Sequence, residues 1–250
     1  MSSRKRWNRI YPETNPFELA QGLMRELNTC KCAANRSENV EYLWIHLPAE
    51  PSAHADSSCR PLTADEWLSV IDESAANGAK TIIITLDSSF SERDEVRKIA
   101  EWAQNTHEML VGFHLVGFVP TREDGAVIAS LDRCKTRVLM NREELNNAPF
   151  LESLGVRLVA ANGLEEDHVH HECTLPKSMA CLGPDGSMYT CGLVFGREQY
   201  HMGSYFDRRL DRCIHDESLP HSVPPDVPRD GHHCDGCPPL MAERMRDKTA

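Results

Sequence analysis

Residues 62–86 read LTADEWLSVIDESAANGAKTIIITL. Thr63 and Glu66 have the spacing of a capping box, in which the Thr63 hydroxyl takes an orphan N–H and Glu66 reaches back to the cap. Leu62 and Trp67 stand where a hydrophobic staple closes over the first turn. Trp67, Val70, Ile71 and Ser74 recur at helical spacing and form one face. Gly78 supplies the left-handed residue that ends such a helix. Thr81–Leu86 is then a continuous β-branched run. That is the pattern of a strand buried on both faces, as parallel sheets require.

The same alternation extends in both directions. Tyr42–Leu47 (YLWIHL) is a short apolar run that reads as a buried strand, followed by a loop over Pro48–Pro61. Downstream, Ser91–Asn105 reads as a helix with Val96, Ile99, Ala100 and Ala103 inward. Met109–Phe118 reads as a strand, Asp124–Arg133 as a helix, Arg137–Met140 as a strand, Glu143–Leu154 as a helix and Val156–Ala160 as a strand. Strand–helix alternation at this spacing predicts right-handed βαβ units on a parallel sheet. Five strands are too few for a closed eight-stranded barrel, so the expected fold is α/β, a curved, open partial (βα) barrel over residues 40–162. Residues 1–39 form an N-terminal extension with a helical stretch at Phe17–Leu27 and a Cys30-Lys31-Cys32 segment.

The composition bounds the function. The 250 residues carry a net charge of −11, which argues against a nucleic-acid backbone or an anionic membrane as main partner. No run of 18 apolar residues exists, and no apolar core follows the basic Met1–Asn8, so the sequence reads as a cytoplasmic protein without a membrane span or signal peptide. Ten cysteines are too few for a disulfide scaffold and many for a reducing compartment, where they most often bind metal or do chemistry.

The cysteines concentrate in the tail. Residues 163–250 hold six of the ten cysteines and eight of the twelve histidines, with little apolar sequence, which points to a metal staple. Gly183-Pro184-Asp185-Gly186 between Ser178–Leu182 and Ser187–Cys191 is a hairpin signal. With a three-residue bulged loop, Cys181 and Cys191 share a face; with a two-residue loop they oppose. Cys234-Asp235-Gly236-Cys237 is a CxxC. Residues 218–233 read as a loop and Leu240–Lys248 as a terminal helix. Cys173, Cys191, Cys234 and Cys237 can converge from a loop, a hairpin end and a CxxC, which suits a [4Fe–4S] cluster and also structural zinc. Cys181 is a rival ligand. Cys213, within DRRLDRCIHD, is a weaker one.

Cys173-x17-Cys191 ending in GPDGSMYTC, followed about 40 residues later by CDGC, resembles the Twitch subdomain, the short relative of the SPASM domain found at the C-terminus of some radical SAM enzymes. Residues 62–85 are similar to the first helix and second strand of the radical SAM barrel. The resemblance covers about 40–240. It implies a Twitch-like iron–sulfur domain over 163–250, with one auxiliary [4Fe–4S] cluster held by Cys173, Cys191, Cys234 and Cys237. The chain departs from the family where SAM is bound. The loop after the first strand has Cys59 alone in place of CxxxCxxC, and Leu86-Asp87-Ser88-Ser89 replaces the motif that holds the SAM amino group. A radical-SAM-like fold without SAM chemistry is therefore expected.

Function follows from that expectation. One reading is an enzyme whose cluster acts on a small metabolite without SAM, for instance as sulfur donor in biosynthesis. His168, His170 and His171, beside Cys173, are then the candidate catalytic residues. The other reading is an electron relay or a substrate-binding accessory of an intact radical SAM enzyme. Further candidates are His232 and His233, Cys30 and Cys32 as a redox pair, a sulfur carrier or an extra ligand set, the strand residues His46 and His114, and Asp87, Ser88 and Ser89 at a strand's C-terminal end, where α/β proteins bind ligands.

Overall fold

In the computed structural model, which describes residues 40–49, 60–161 and 175–224, the Thr63 capping box is complete. The Glu66 N–H donates to the Thr63 hydroxyl at 3.3 Å, and the Thr63 N–H donates to the Glu66 carboxylate at 2.8 Å. The helix that follows, α1 (Ala64–Ala76), buries Trp67, Val70, Ile71 and Ser74, and Gly78 takes φ +102 just beyond its end.

The remaining elements follow the expected alternation. In chain order they are β1 (Tyr42–His46), α1, β2 (Thr81–Leu86), α2 (Asp94–His107), β3 (Leu110–Leu115), α3 (Arg122–Ser130), β4 (Thr136–Asn141), α4 (Arg142–Asn146), α5 (Phe150–Ser153), β5 (Arg157–Ala161), β6 (Met179–Leu182), β7 (Ser187–Tyr189), β8 (His201–Ser204) and α6 (Leu210–Ile214). The strands form one open sheet in the order β5-β4-β3-β2-β1-β6-β7-β8. β1 to β6 are mutually parallel, whereas β7 and β8 join antiparallel. The fold is thus α/β, a parallel sheet of βα units with antiparallel C-terminal strands.

Three local readings need correction. α3 begins two residues before the expected Asp124, because Thr121 is the cap and Asp124 is the third helical residue of a second capping box. The expected helix Glu143–Leu154 is two short helices, split at Asn147–Pro149. Pro149 brings no N–H and disfavours helical backbone at the residue before it. β3 stops at Leu115 rather than Phe118, and Gly117 turns the chain with φ +75. The sequence reading also gave no strand at β8. The helices expected at Phe17–Leu27 and Leu240–Lys248 lie outside the described residues.

The core lies between one face of the sheet and the helices. Leu43, Ile45, Ile82, Ile84, Val111, Phe113, Val138 and Met140 point to that side and pack with Trp67, Val70, Ile71, Val96, Ile99 and Ala103. Asp124 braces the strand ends beside it. Its fully buried carboxylate accepts from the Phe90 and Ser91 N–H groups at 2.8 Å each, the Ser89 hydroxyl at 2.9 Å, and the Thr121 N–H and hydroxyl. Burial alone would raise its pKa; the hydrogen bonds, led by Thr121 and Phe90, hold it below the ordinary value. Asp124→Ala leaves several buried donors unmatched and should cost about 2–4 kcal/mol in urea unfolding at neutral pH. A carboxylate with a lowered folded pKa stabilises above its unfolded value, so this contribution fades as the pH falls below about 4. The wild type should therefore lose more stability on acidification than the variant.

Candidate functional site on the second face of the sheet

Strand alternation sends every other residue to the face away from α1 and α2. The parallel register then builds rows across that face. One row runs Cys181, Trp44, Ile83, Gly112, Arg137, Arg157. The next row, nearer the C-terminal ends of the strands, runs His46, Thr85, His114, Leu139, Val159. Two histidines thus flank one threonine on adjacent strands, at the edge where α/β proteins place ligands.

The polar groups of these rows are joined. The Trp44 indole N–H donates to Thr85 Oγ1 at 2.9 Å, and Thr85 Oγ1 lies 3.1 Å from His114 Nδ1. His46 stacks on Phe195, with ring centroids 4.9 Å apart and planes 10° from parallel, and tilts against Trp44 at 5.1 Å. The His46 ring is half-buried, and its Nε2 is shielded from solvent with no hydrogen-bond partner among the described residues. Burial pushes its pKa down to about 4. Arg137 also faces this side. Its Nη1 donates to the Cys134 and Thr136 carbonyls, while its Nε is buried without a partner among the described residues. Burial, and then the charge of Arg157, lower its pKa.

The tail residues close over His46. The hairpin loop is the three-residue form: the Gly183 N–H donates to the Ser187 carbonyl, and Gly186 sits at φ +75. Cys181 pairs with Tyr189, so Cys191, two residues on in extended backbone, shares its face. Both thiols are buried. Burial, and then Cys191, raise the Cys181 pKa well above its ordinary value. Gly192 follows. A Cβ there would stand 2.5 Å from His46 Nε2 and 2.6 Å from the Trp44 ring, so only glycine allows this approach.

Other candidates fall elsewhere. Asp87 accepts from the Ala49 N–H at 2.7 Å, and the Ser89 hydroxyl is committed to Asp124. Cys134 is exposed and Cys213 is buried in α6. His168, His170, His171, Cys173, Cys234, Cys237, Cys30, Cys32, Cys59, His232 and His233 lie outside the described residues. Among the described residues no group of three or more His, Cys, Asp or Glu is arranged to hold a metal ion. Sequence reasoning missed Trp44, Thr85, Gly192 and Phe195. For the first two a signal existed: Trp44 and His46 share one parity of YLWIHL, and Thr81 and Thr85 share one parity of TIIITL.

No protein-family model and no curated protein matches the chain. Among solved structures it is similar to Streptococcus suis SuiB, with TM-score 0.47 and 9% identity over 83% of this chain and 72% of that one. It is also similar to SuiB bound to S-adenosylmethionine, with TM-score 0.46 and 10% identity over 83% of this chain and 70% of that one. At these identities the likeness is one of fold alone.

Two outcomes follow from the geometry around His46. Gly192→Ala should lower stability by about 1–3 kcal/mol, as overpacking does, and shift Trp44 fluorescence. His46 binds a proton less readily folded than unfolded. Its neutral burial therefore costs nothing above its unfolded pKa of 6.5, and stability drains as the pH falls from there towards 4. His46→Phe should flatten that part of the acid-unfolding profile, while an NMR titration of the wild type should show the ring still neutral at about pH 5.5.

Proposed function

We propose that this chain is an iron–sulfur protein of radical-SAM-like fold that has given up SAM chemistry and acts on a small metabolite. Cys173, Cys191, Cys234 and Cys237 would hold one [4Fe–4S] cluster, with zinc as the competing occupant and Cys181 as a possible substitute ligand. The observation that carries this reading is the placement of Cys191. It is a buried thiol beside the thiol of Cys181, and it immediately precedes the glycine that packs against His46 and Trp44. Two soft donors on one sheltered face fit a thiolate-ligated cluster better than an oxygen-seeking ion. A bound cluster supplies inorganic sulfide as a sulfur source, or iron as a Lewis acid.

The chain's own residues then have distinct tasks. His46, Thr85 and His114 line the edge where a small molecule is met, and Phe195 shields it from water beside His46. His168, His170 and His171 move protons next to Cys173. Asp87 ties the loop after β2 to the one after β1, and Ser89 ties it to Asp124 in the first turn of α3.

Anaerobically purified protein should be brown and contain about four iron and four sulfide per chain. Cys191→Ala should lose most of both, and Cys134→Ala should lose neither. Colourless protein with one zinc and no sulfide would overturn the cluster. No 5′-deoxyadenosine should form from SAM under strong reductant. Protein loaded with isotope-labelled sulfide should release label into a small-molecule product if the cluster is a sulfur donor; label that stays on the protein would favour an electron relay or an accessory of an intact radical SAM enzyme.

A further inference from the structure

An indole N–H can only donate. Thr85 Oγ1 is therefore the acceptor of its 2.9 Å bond with Trp44. The hydroxyl has a single hydrogen of its own, and its other polar neighbour among the described residues is His114 Nδ1, at 3.1 Å. A hydroxyl that has accepted one hydrogen bond is a better donor of the next. The oxygen can accept twice, but an Nδ1–H donating to it would leave the Thr85 hydrogen without a partner among the described residues; with that hydrogen turned to Nδ1, Nδ1 is bare and the proton of the neutral ring sits on Nε2. His114 is only 7% exposed, and Thr85 is half-buried.

We propose that Trp44 and Thr85 form a directional hydrogen-bond chain that locks His114 as its Nε2–H tautomer, with Thr85 as the positioning residue and His114 as a hydrogen-bond donor at the proposed site. The use of that donor rests on the reading given above; the chain itself does not. The direction also separates His114 from a metal ligand. A ligating histidine donates its second ring N–H outward to an acceptor and binds the ion through a bare nitrogen. Here the second nitrogen is the acceptor, and Nε2 holds the proton.

The test is nitrogen-15 NMR of the full chain with labelled histidine at about pH 8, where an ordinary imidazole is neutral. The expected wild-type spectrum has His114 Nδ1 in the unprotonated range and Nε2 in the protonated range. Thr85→Val should turn this single tautomer into a mixture or its reverse, and Thr85→Ser should restore it. Trp44→Phe, which frees Thr85 to change roles, should also mix the tautomers and serves if Thr85→Val does not fold. A wild-type spectrum with the proton on Nδ1 overturns the proposal, as does a folded Thr85→Val with an unchanged spectrum. The spectrum is read without reference to the cluster. A zinc-loaded protein would end the reading of function and leave this chain standing.

Discussion

Strand β1 is hydrogen-bonded in parallel on both sides, to β2 and to β6, and the rest of the arrangement depends on that double pairing. It has no free edge, and Val40–Ile45 are buried apart from Glu41. A slip of one residue would send Leu43 and Ile45 to the wrong face and pull Trp44 and His46 into the helix-side core. The register is therefore fixed by burial. It places Trp44 beside Cys181 and His46 beside Thr85. The tail hairpin is thereby part of the same sheet as the βα units, tied further by the Glu41 N–H to the Ser178 carbonyl and the Leu62 N–H to the Pro184 carbonyl.

The two faces of this sheet obey different rules. The helix side is apolar and close-packed, and a hydrocarbon core asks nothing of it but volume and shape. The second side carries an indole, a threonine, two histidines and two arginines. Polar groups sheltered from water cost stability unless they are bonded. Trp44, Thr85 and His114 meet that cost among themselves. His46 Nε2 and Arg137 Nε find no partner among the described residues. Asp124 is the contrast: it is fully buried, saturated with donors and placed at strand ends, a brace that needs no ligand to explain it.

Residues 62–86 alone determined the βα unit, because a capping box, a staple, a helical face and a glycine stop all act within a few residues of one another. The capping box of Thr121 and Asp124 is equally local, although the sequence reading placed the helix start at Asp124. Gly183-Pro184-Asp185-Gly186 likewise stated the hairpin and left its loop as one of two kinds, with Gly186 in left-handed backbone settling which. What the chain alone did not state was that β6 would pair with β1. Parallel neighbours share no turn, so nothing near either strand announces the other. For the same reason the row of His46, Thr85 and His114 was legible only as two separate histidines. Parity along each strand comes from local geometry and is written in the sequence. Register between strands comes from long-range burial and hydrogen bonding, and only the tertiary structure decided that these three side chains stand side by side.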